Sequence, residues 1–244
     1  MARVILEVRD VTKRFGGLVA VRDMVFDVHQ NEVVGIIGPN GSGKSTMINM
    51  ISGSFAPSGG SIRLNGQEIA GKPAHRTAQM GVARTFQLVR LLPELSVVEN
   101  VVAGAAFGHR RRWGREAEQF ARALLDRVGM GGQINMPVAS LTYINTKRVE
   151  LARALASEPE VLLLDEWLAG LNPTELETGI ALIRSLRDDG RTIILVEHVM
   201  DAIRSLCDRC VVMSSGVKIA EGTPTEVLAD AEVIRAYLGA DEDA

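Results

Sequence analysis

The chain of 244 residues is long enough for one large domain or two small ones, and 46% hydrophobic residues with only 4% aromatics give it an ample, aliphatic core. Its 27 basic and 30 acidic side chains leave a net charge of −3, which argues neither for nor against a nucleic-acid partner. No apolar run approaches the roughly 18 residues of a membrane helix. Glu7 falls where a signal peptide would need its apolar segment, so a cytosolic chain is expected.

In chain order, Ile5 to Arg9 alternates apolar and polar residues and predicts a half-buried strand, with a turn over Val11-Thr12-Lys13-Arg14-Phe15-Gly16-Gly17. Met24 to Val28 and Val33 to Ile37 predict further strands. Next come Gly38-Pro39-Asn40-Gly41-Ser42-Gly43-Lys44-Ser45, which fit G-x-x-x-x-G-K-[ST], and a predicted helix from Thr46 to Ser52. With Gly at about 7% of residues, the four fixed positions match by chance in roughly one chain in a hundred of this length, and the strand–loop–helix setting lowers those odds further. Ser61 to Leu64 is a strand closed by the hairpin signal Asn65-Gly66. Pro73 to Gln79 predicts a short helix, and Val82 to Gln87 a strand ending on a polar residue. Helices follow over Ser96 to Ala103, Arg115 to Val128 and Thr146 to Ser157. The apolar run Val161 to Leu164 suits a buried parallel strand and ends in Asp165-Glu166. A helix opens at Pro173 and stops at Gly190, and Thr192 to Val196 is a buried strand ending in Glu197-His198. Arg209 to Met213 and Val217 to Ala220 flank a Ser214-Ser215-Gly216 turn. Two short helices, Pro224 to Ala229 and Ala231 to Leu238, precede an acidic tail, Asp241-Glu242-Asp243, that is expected to fray. Cys207 and Cys210 form a C-x-x-C with no second pair or nearby His to complete a zinc site, so two small buried residues are expected.

The residue types of the glycine loop suit a triphosphate. Glycines let successive backbone N–H groups curl inward, and the helix N-terminus adds partial positive charge. Lys44 is placed to reach the outer phosphates, and the Ser45 hydroxyl to ligate Mg²⁺. Ligands gather at the carboxyl ends of parallel strands, which places Asp165 and Glu166 near the loop. Asp165 suits a direct or outer Mg²⁺ role, and Glu166 the acceptance of a proton from an attacking water. Gln87 and His198 each follow a strand pattern as well, Gln87 suited to Mg²⁺ or water and His198 to a γ-phosphate.

Together these motifs resemble the ATP-binding subunits of ABC transporters. Gly38 to Ser45 is similar to the Walker A loop, and Val161 to Glu166 to Walker B with its catalytic glutamate. Gln87 matches the Q-loop, Ala169-Gly170-Leu171-Asn172 the D-loop, His198 the switch histidine, and Phe15 the aromatic that stacks on adenine. Arg84-Thr85-Phe86-Gln87, the D-loop with Pro173-Thr174-Glu175, Val196-Glu197-His198 and Ala236-Tyr237-Leu238-Gly239 resemble the branched-chain amino acid type. The likeness runs from about Ile5 to Leu238 and implies one α/β domain over 5–238, a P-loop NTPase core with a parallel sheet. Residues 1–87 and 156–222 would form the core with an antiparallel β part, 88–155 an inserted helical subdomain, and 223–240 C-terminal helices. It further implies nucleotide binding by Phe15 and by Gly38 through Thr46, metal ligation by Ser45, Gln87 and Asp165, and catalysis by Glu166 and His198. The implied partners are a second ATPase subunit, identical or different, two membrane permeases and an external binding protein, with no nucleic acid. The implied place is the cytoplasmic face of the cell membrane.

Two departures from the family pattern matter, the signature segment and the residue after the glutamate. The signature, usually Leu-Ser-Gly-Gly-Gln, aligns with Leu141-Thr142-Tyr143-Ile144-Asn145, so Ile144 replaces a glycine that lets backbone reach the partner's γ-phosphate. Trp167 stands where proline normally follows the glutamate, and a packing change is expected there. The degenerate signature leaves open a weakly hydrolysing regulatory partner, and a lipopolysaccharide-export ATPase is a second transport reading. Arg110-Arg111-Arg112-Trp113 reads as a solvated loop, or as a contact with the permease or with anionic lipid at roughly 1 kcal/mol per charge. Leu91, Leu92 and Leu95 are either permease contacts or core of the helical part.

Overall fold

The computed structural model describes residues 3–238, so the acidic tail and positions 239 and 240 of the expected C-terminal segment lie outside the described residues. Strand β1 (Val4–Phe15) pairs antiparallel with β2 (Leu18–His29), and only Gly16 and Gly17 separate them. The turn expected over Val11 to Gly17 is therefore strand as far as Phe15, and β2 opens six residues before Met24. Bulges hide this from the pattern. Asp10 and Asp23 take positive φ (50° and 46°), the register slips between Val8 and Val11, and Thr12 and Asp23 bond across the slip at 3.0 and 3.1 Å. Each slip moves the apolar residues out of strict alternation. β4 (Gly59–Leu64) and β5 (Gln67–Glu68) complete this sheet around the Asn65-Gly66 turn, after β3 (Val33–Ile37) and helix α1 (Lys44–Ile51).

The second sheet contains β3, β6 (Val82–Arg84), β7 (Val161–Asp165), β8 (Ile193–Val196), β9 (Arg209–Ser214) and β10 (Val217–Gly222). Among the described residues its order is β10-β9-β3-β8-β7-β6, parallel except for β10. The continuous apolar runs follow from burial on both faces. On β7, Val161 and Leu163 pack toward α1 and the antiparallel sheet, while Leu162 and Leu164 pack toward the opposite core; β8 alternates in the same way.

That opposite core is formed with α3 (Val97–Phe107), α4 (Gly114–Arg127), α5 (Tyr143–Ala156), α6 (Pro173–Asp188) and α7 (Met200–Leu206), which follow α2 (Ala74–Met80) in the chain; α8 (Pro224–Ala229) and α9 (Ala231–Leu238) end the described part. Capping boxes open α3 (Ser96 with Glu99) and α6 (Asn172 with Glu175). α3 approaches α5 so closely at Gly104 that a Cβ there would collide with the Arg153 carbonyl oxygen. The strand expected over Val82 to Gln87 stops at Arg84, and α5 begins at Tyr143 rather than Thr146. Cys207 and Cys210 are free and buried at the α7–β9 junction, as expected, and the Cys207 thiol is pushed up by its bond to Cys210 and by burial. Among the described residues no helix is long and apolar enough to cross a membrane.

Candidate functional site

The register of the parallel sheet aligns its carboxyl ends. Ile36 lies opposite Val196, and Asp165 opposite the same Val196 from the other side. The loop after β3, Glu197-His198 after β8, Asp165-Glu166 at the end of β7 and Gln87 beyond β6 therefore share one edge of the sheet.

Residues 40–46, Phe15, Glu166, Ser215 and Gly216 line one cavity of about 500 Å³. The loop is locked in place by backbone that only glycine permits. A Cβ at Gly38 (φ 146°) would collide with the Met213 carbonyl, and one at Gly43 (φ 102°) would lie 2.6 Å from Ala20 O. Gly216 N donates to Ser42 O at 3.0 Å and ties the loop to the β9–β10 turn. Lys44 Nζ donates to Gly38 O and Pro39 O, each at 2.8 Å, and burial draws the ammonium below its ordinary pKa against the field of Glu166 and Asp165. The Ser42 hydroxyl is buried with no partner among the described residues. A cradle with an orphaned hydroxyl, a cation and a helix N-terminus fits a polyphosphate. Phe15, 42% exposed at the hairpin tip, stands edge-on to Phe55 at 5.5 Å, carries the Lys13 ammonium 5.0 Å from its ring centroid, and lines the cavity.

The acids part company. Asp165 Oδ2 is held by Arg84 Nη2 at 2.6 Å, and Arg84 also donates to Asn49 Oδ1 on α1 at 2.6 Å and to Ser52 Oγ at its C-cap at 3.2 Å. Direct metal ligation by Asp165 would compete with this buried ion pair, so the geometry suits the outer role. Glu166 (φ 48°) turns out of the sheet line into the cavity, and Gln87 Nε2 donates to its Oε2 at 2.7 Å. Ser45 is exposed beside them, and the free Oε1 of Gln87 adds an oxygen donor of the kind Mg²⁺ takes. His198 is exposed at the sheet edge. Its neighbour Glu197 is buried, accepts from Leu168 N at 2.6 Å, and is pushed up to about 7 by burial.

The signature segment lies apart from the cavity. Thr142 is the cap residue of α5, while Tyr143, Ile144 and Asn145 form its first turn. Tyr143 is half exposed, Asn145 Nδ2 donates to Gln133 Oε1 at 3.3 Å, and Tyr143 lies against the D-loop, where a Cβ on Gly170 would meet its ring at 3.4 Å. Leu171 packs on the core, and Asn172 caps α6. Leu91 also packs on the core, whereas Leu88 and Leu92 are exposed (79% and 43%).

Sequence reasoning missed three charges around this site, two buried and one half-buried. Arg84 ends an edge strand; Lys147 and Glu150 lie on α5 among its buried residues. The available signal was spacing, since Lys147, Leu151 and Leu155 form one i, i+4 stripe with a cation in it. Trp167, fully buried, donates Nε1 to Lys147 O at 3.1 Å, so the residue at the family's proline position packs against α5.

Comparison with known proteins agrees with this geometry. The chain matches the ABC transporter family over residues 21–169 and the branched-chain amino acid ATP-binding cassette transporter family over residues 217–243. It is 41% identical to the high-affinity branched-chain amino acid transport ATP-binding protein BraF of Pseudomonas aeruginosa, over 98% of this chain and 99% of that one. Its structure superposes on the ADP conformation of MJ1267, an ATP-binding cassette of an ABC transporter, with a TM-score of 0.88 at 29% identity over 97% and 99% of the two chains. The dimeric MJ0796, a bacterial ABC transporter cassette, matches with a TM-score of 0.81 at 26% identity over 90% and 99%. The protein is thus a P-loop ATPase of the ATP-binding cassette class. Within that class the chain belongs to the ABC transporter ATP-binding subunits of branched-chain amino acid type.

Proposed function

We propose that this chain binds Mg·ATP between Phe15 and the loop 38–46 and hydrolyses it, with Glu166 as general base, to energise import of branched-chain or related amino acids. The observation that carries the reading is the single cavity lined by that loop, Phe15 and Glu166. The Gln87–Glu166 bond supports it by aiming an amide and a carboxylate at one point, where a water would be oriented and deprotonated. Ser45 and Gln87 would hold Mg²⁺ directly and Asp165 from the outer shell; Mg²⁺ when bound would neutralise charge on the phosphate oxygens. His198 would meet the γ-phosphate. The signature face, Thr142 to Asn145, together with Gly170, Leu171 and Asn172, would meet the nucleotide of a second cassette, and the matching dimeric cassette supports that pairing. The exposed Leu88 and Leu92 would contact the permease at the cytoplasmic face, with an external binding protein supplying the solute.

Calorimetry of Mg·ATP on the full chain, phosphate release by the complex that co-purifies from membranes, and uptake of labelled leucine, isoleucine and valine by cells with and without the gene test the reading. Binding, turnover and dependent uptake are expected. Absence of Mg·ATP binding would overturn the site, and unchanged uptake the solute class.

A further inference from the structure

Helix α5 carries two buried charges of opposite sign one turn apart, Lys147 and Glu150, exposed by 1% and 0%. Two such charges in a core are expected to pair, because burying either alone is costly. Glu150 does meet Arg153 Nη2 on its own helix, at 3.6 Å, but the shorter bonds of the two charges go to two different loops. Lys147 Nζ donates to the carbonyls of Trp167 (2.8 Å), Ala169 (2.9 Å) and Glu166 (3.2 Å). All three belong to the segment that leaves β7 with Glu166 at positive φ. Glu150 accepts from Phe86 N at 3.1 Å through Oε2 and from Arg90 N at 2.8 Å through Oε1. Those two N–H groups bracket Gln87. The two loops so gripped meet at the Gln87–Glu166 bond.

Three features make the grip specific. The ammonium has three donors and meets three carbonyls, so its hydrogen-bonding capacity is matched to this loop. Glu150 uses one oxygen on each side of Gln87, which fixes the loop at two points. Trp167 Nε1 returns a bond to Lys147 O, so α5 and the Glu166 loop hold each other in both directions. The rigid element between the grips is a single turn of helix, and the first turn of that helix is the signature segment.

Resting on the ATP-hydrolysing reading above, we propose that Lys147 and Glu150 are positioning residues that make α5 a yoke for the Gln87–Glu166 pair. Neither touches the nucleotide cavity. Each acts through the loop it holds, and a shift of the signature turn reaches both loops at once through the same helix. Misplacement of a reacting group by about 1 Å costs on the order of 100-fold in rate, so loss of either grip is expected to appear in turnover and not in nucleotide affinity.

The test uses Glu150→Gln and Lys147→Met in the assembled membrane complex, each alone and combined with Gln87→Ala or Glu166→Gln respectively. The expected result is a fall in kcat of about 10- to 100-fold, with KM for Mg·ATP and the calorimetric ATP affinity of the full chain within about twofold of wild type. In the background lacking the gripped side chain, the same substitution should lower kcat no further. An unchanged kcat overturns the proposal, and so does a loss that multiplies undiminished in the combined variants, because a general packing defect would do that. If Lys147→Met does not fold, Glu150→Gln decides alone, since it keeps the shape and one acceptor. Wild-type complex that binds but does not hydrolyse Mg·ATP would remove the ATPase reading, and the yoke with it. Wild-type turnover with indifferent variants would remove the yoke only.

Discussion

The phosphate loop and the signature segment are both short motifs at helix N-termini, yet the chain treats them differently. Residues 38–46 are enclosed by their own fold: a side chain at Gly38 would collide with the Met213 carbonyl and one at Gly43 with the Ala20 carbonyl, and Gly216 ties back to Ser42. Residues 142–145 meet the rest of their chain through Gln133 and the Gly170 turn, and Thr142 and Tyr143 are exposed. A motif that serves its own chain is checked by that chain's packing, so a wrong residue would collide. A motif that serves a partner, as proposed for 142–145, would be constrained by that partner, and Tyr143 and Ile144 occupy its two glycine positions at a partly exposed helix end. Substitutions on the two sides should therefore differ in kind as well as size.

The largest effect belongs to the cavity side. Glu166→Gln keeps the shape and the acceptor for the Gln87 amide but removes the base, and loss of a general base costs about 10²–10⁴-fold. Turnover of the complex should fall by that factor while calorimetry shows Mg·ATP binding retained; a turnover loss under tenfold would assign the base elsewhere.

Next in size is the buried acid beside His198. Glu197 is raised from its ordinary value of 4.5 to about 7, mainly by burial. Between those pH values the folded chain holds a proton that the unfolded chain has released, so stability falls as pH rises through this window. The rise is equivalent to about 3 kcal/mol. Urea titrations of wild type against Glu197→Gln at pH 4.5 and 8 should show wild type losing about 3 kcal/mol relative to the variant on going to the higher pH. A difference that does not change with pH would mean that Glu197 is ionised throughout. Lys44→Ala comes third: removing charge-assisted bonds of about 1.5–3 kcal/mol should weaken Mg·ATP binding roughly 10- to 100-fold by calorimetry, with thermal stability little changed.

What was legible before the structure divides along the same line. The phosphate loop, the two apolar strands and the acids at their ends could be placed from short stretches, because local backbone and burial on both faces dictate the residue types there. Arg84 with Asp165, Lys147 with the Glu166 loop and Glu150 with the Gln87 loop could not, because these contacts join residues 81, about 20 and about 60 positions apart and no local pattern encodes the partner. What does remain visible in such cases is a charge on a stripe that should be apolar. The extent of β1 was hidden for a different reason, since its bulges at Asp10 and opposite Asp23 shift the alternation on which strand reading depends.

The smallest effect sharpens the comparison most. Ile144 is half-buried in the first turn of α5, and nothing there approaches this chain's own cavity. Ile144→Gly removes a side chain and places a residue of lower helix propensity in a helix N-terminus, a cost of about 1 kcal/mol or less. It should leave Mg·ATP affinity of the isolated chain within about twofold, since the loop 38–46 and Phe15 are untouched. Under the proposed pairing it returns one of the two glycines of the family pattern, Tyr143 holding the other place, so turnover of the assembled complex should rise, and the rise should disappear when the partner subunit's glutamate at the equivalent position is changed to Gln. If Ile144→Gly instead alters the affinity of the isolated chain, the signature turn reaches its own cavity directly, and the division between the two motifs drawn from their packing is wrong.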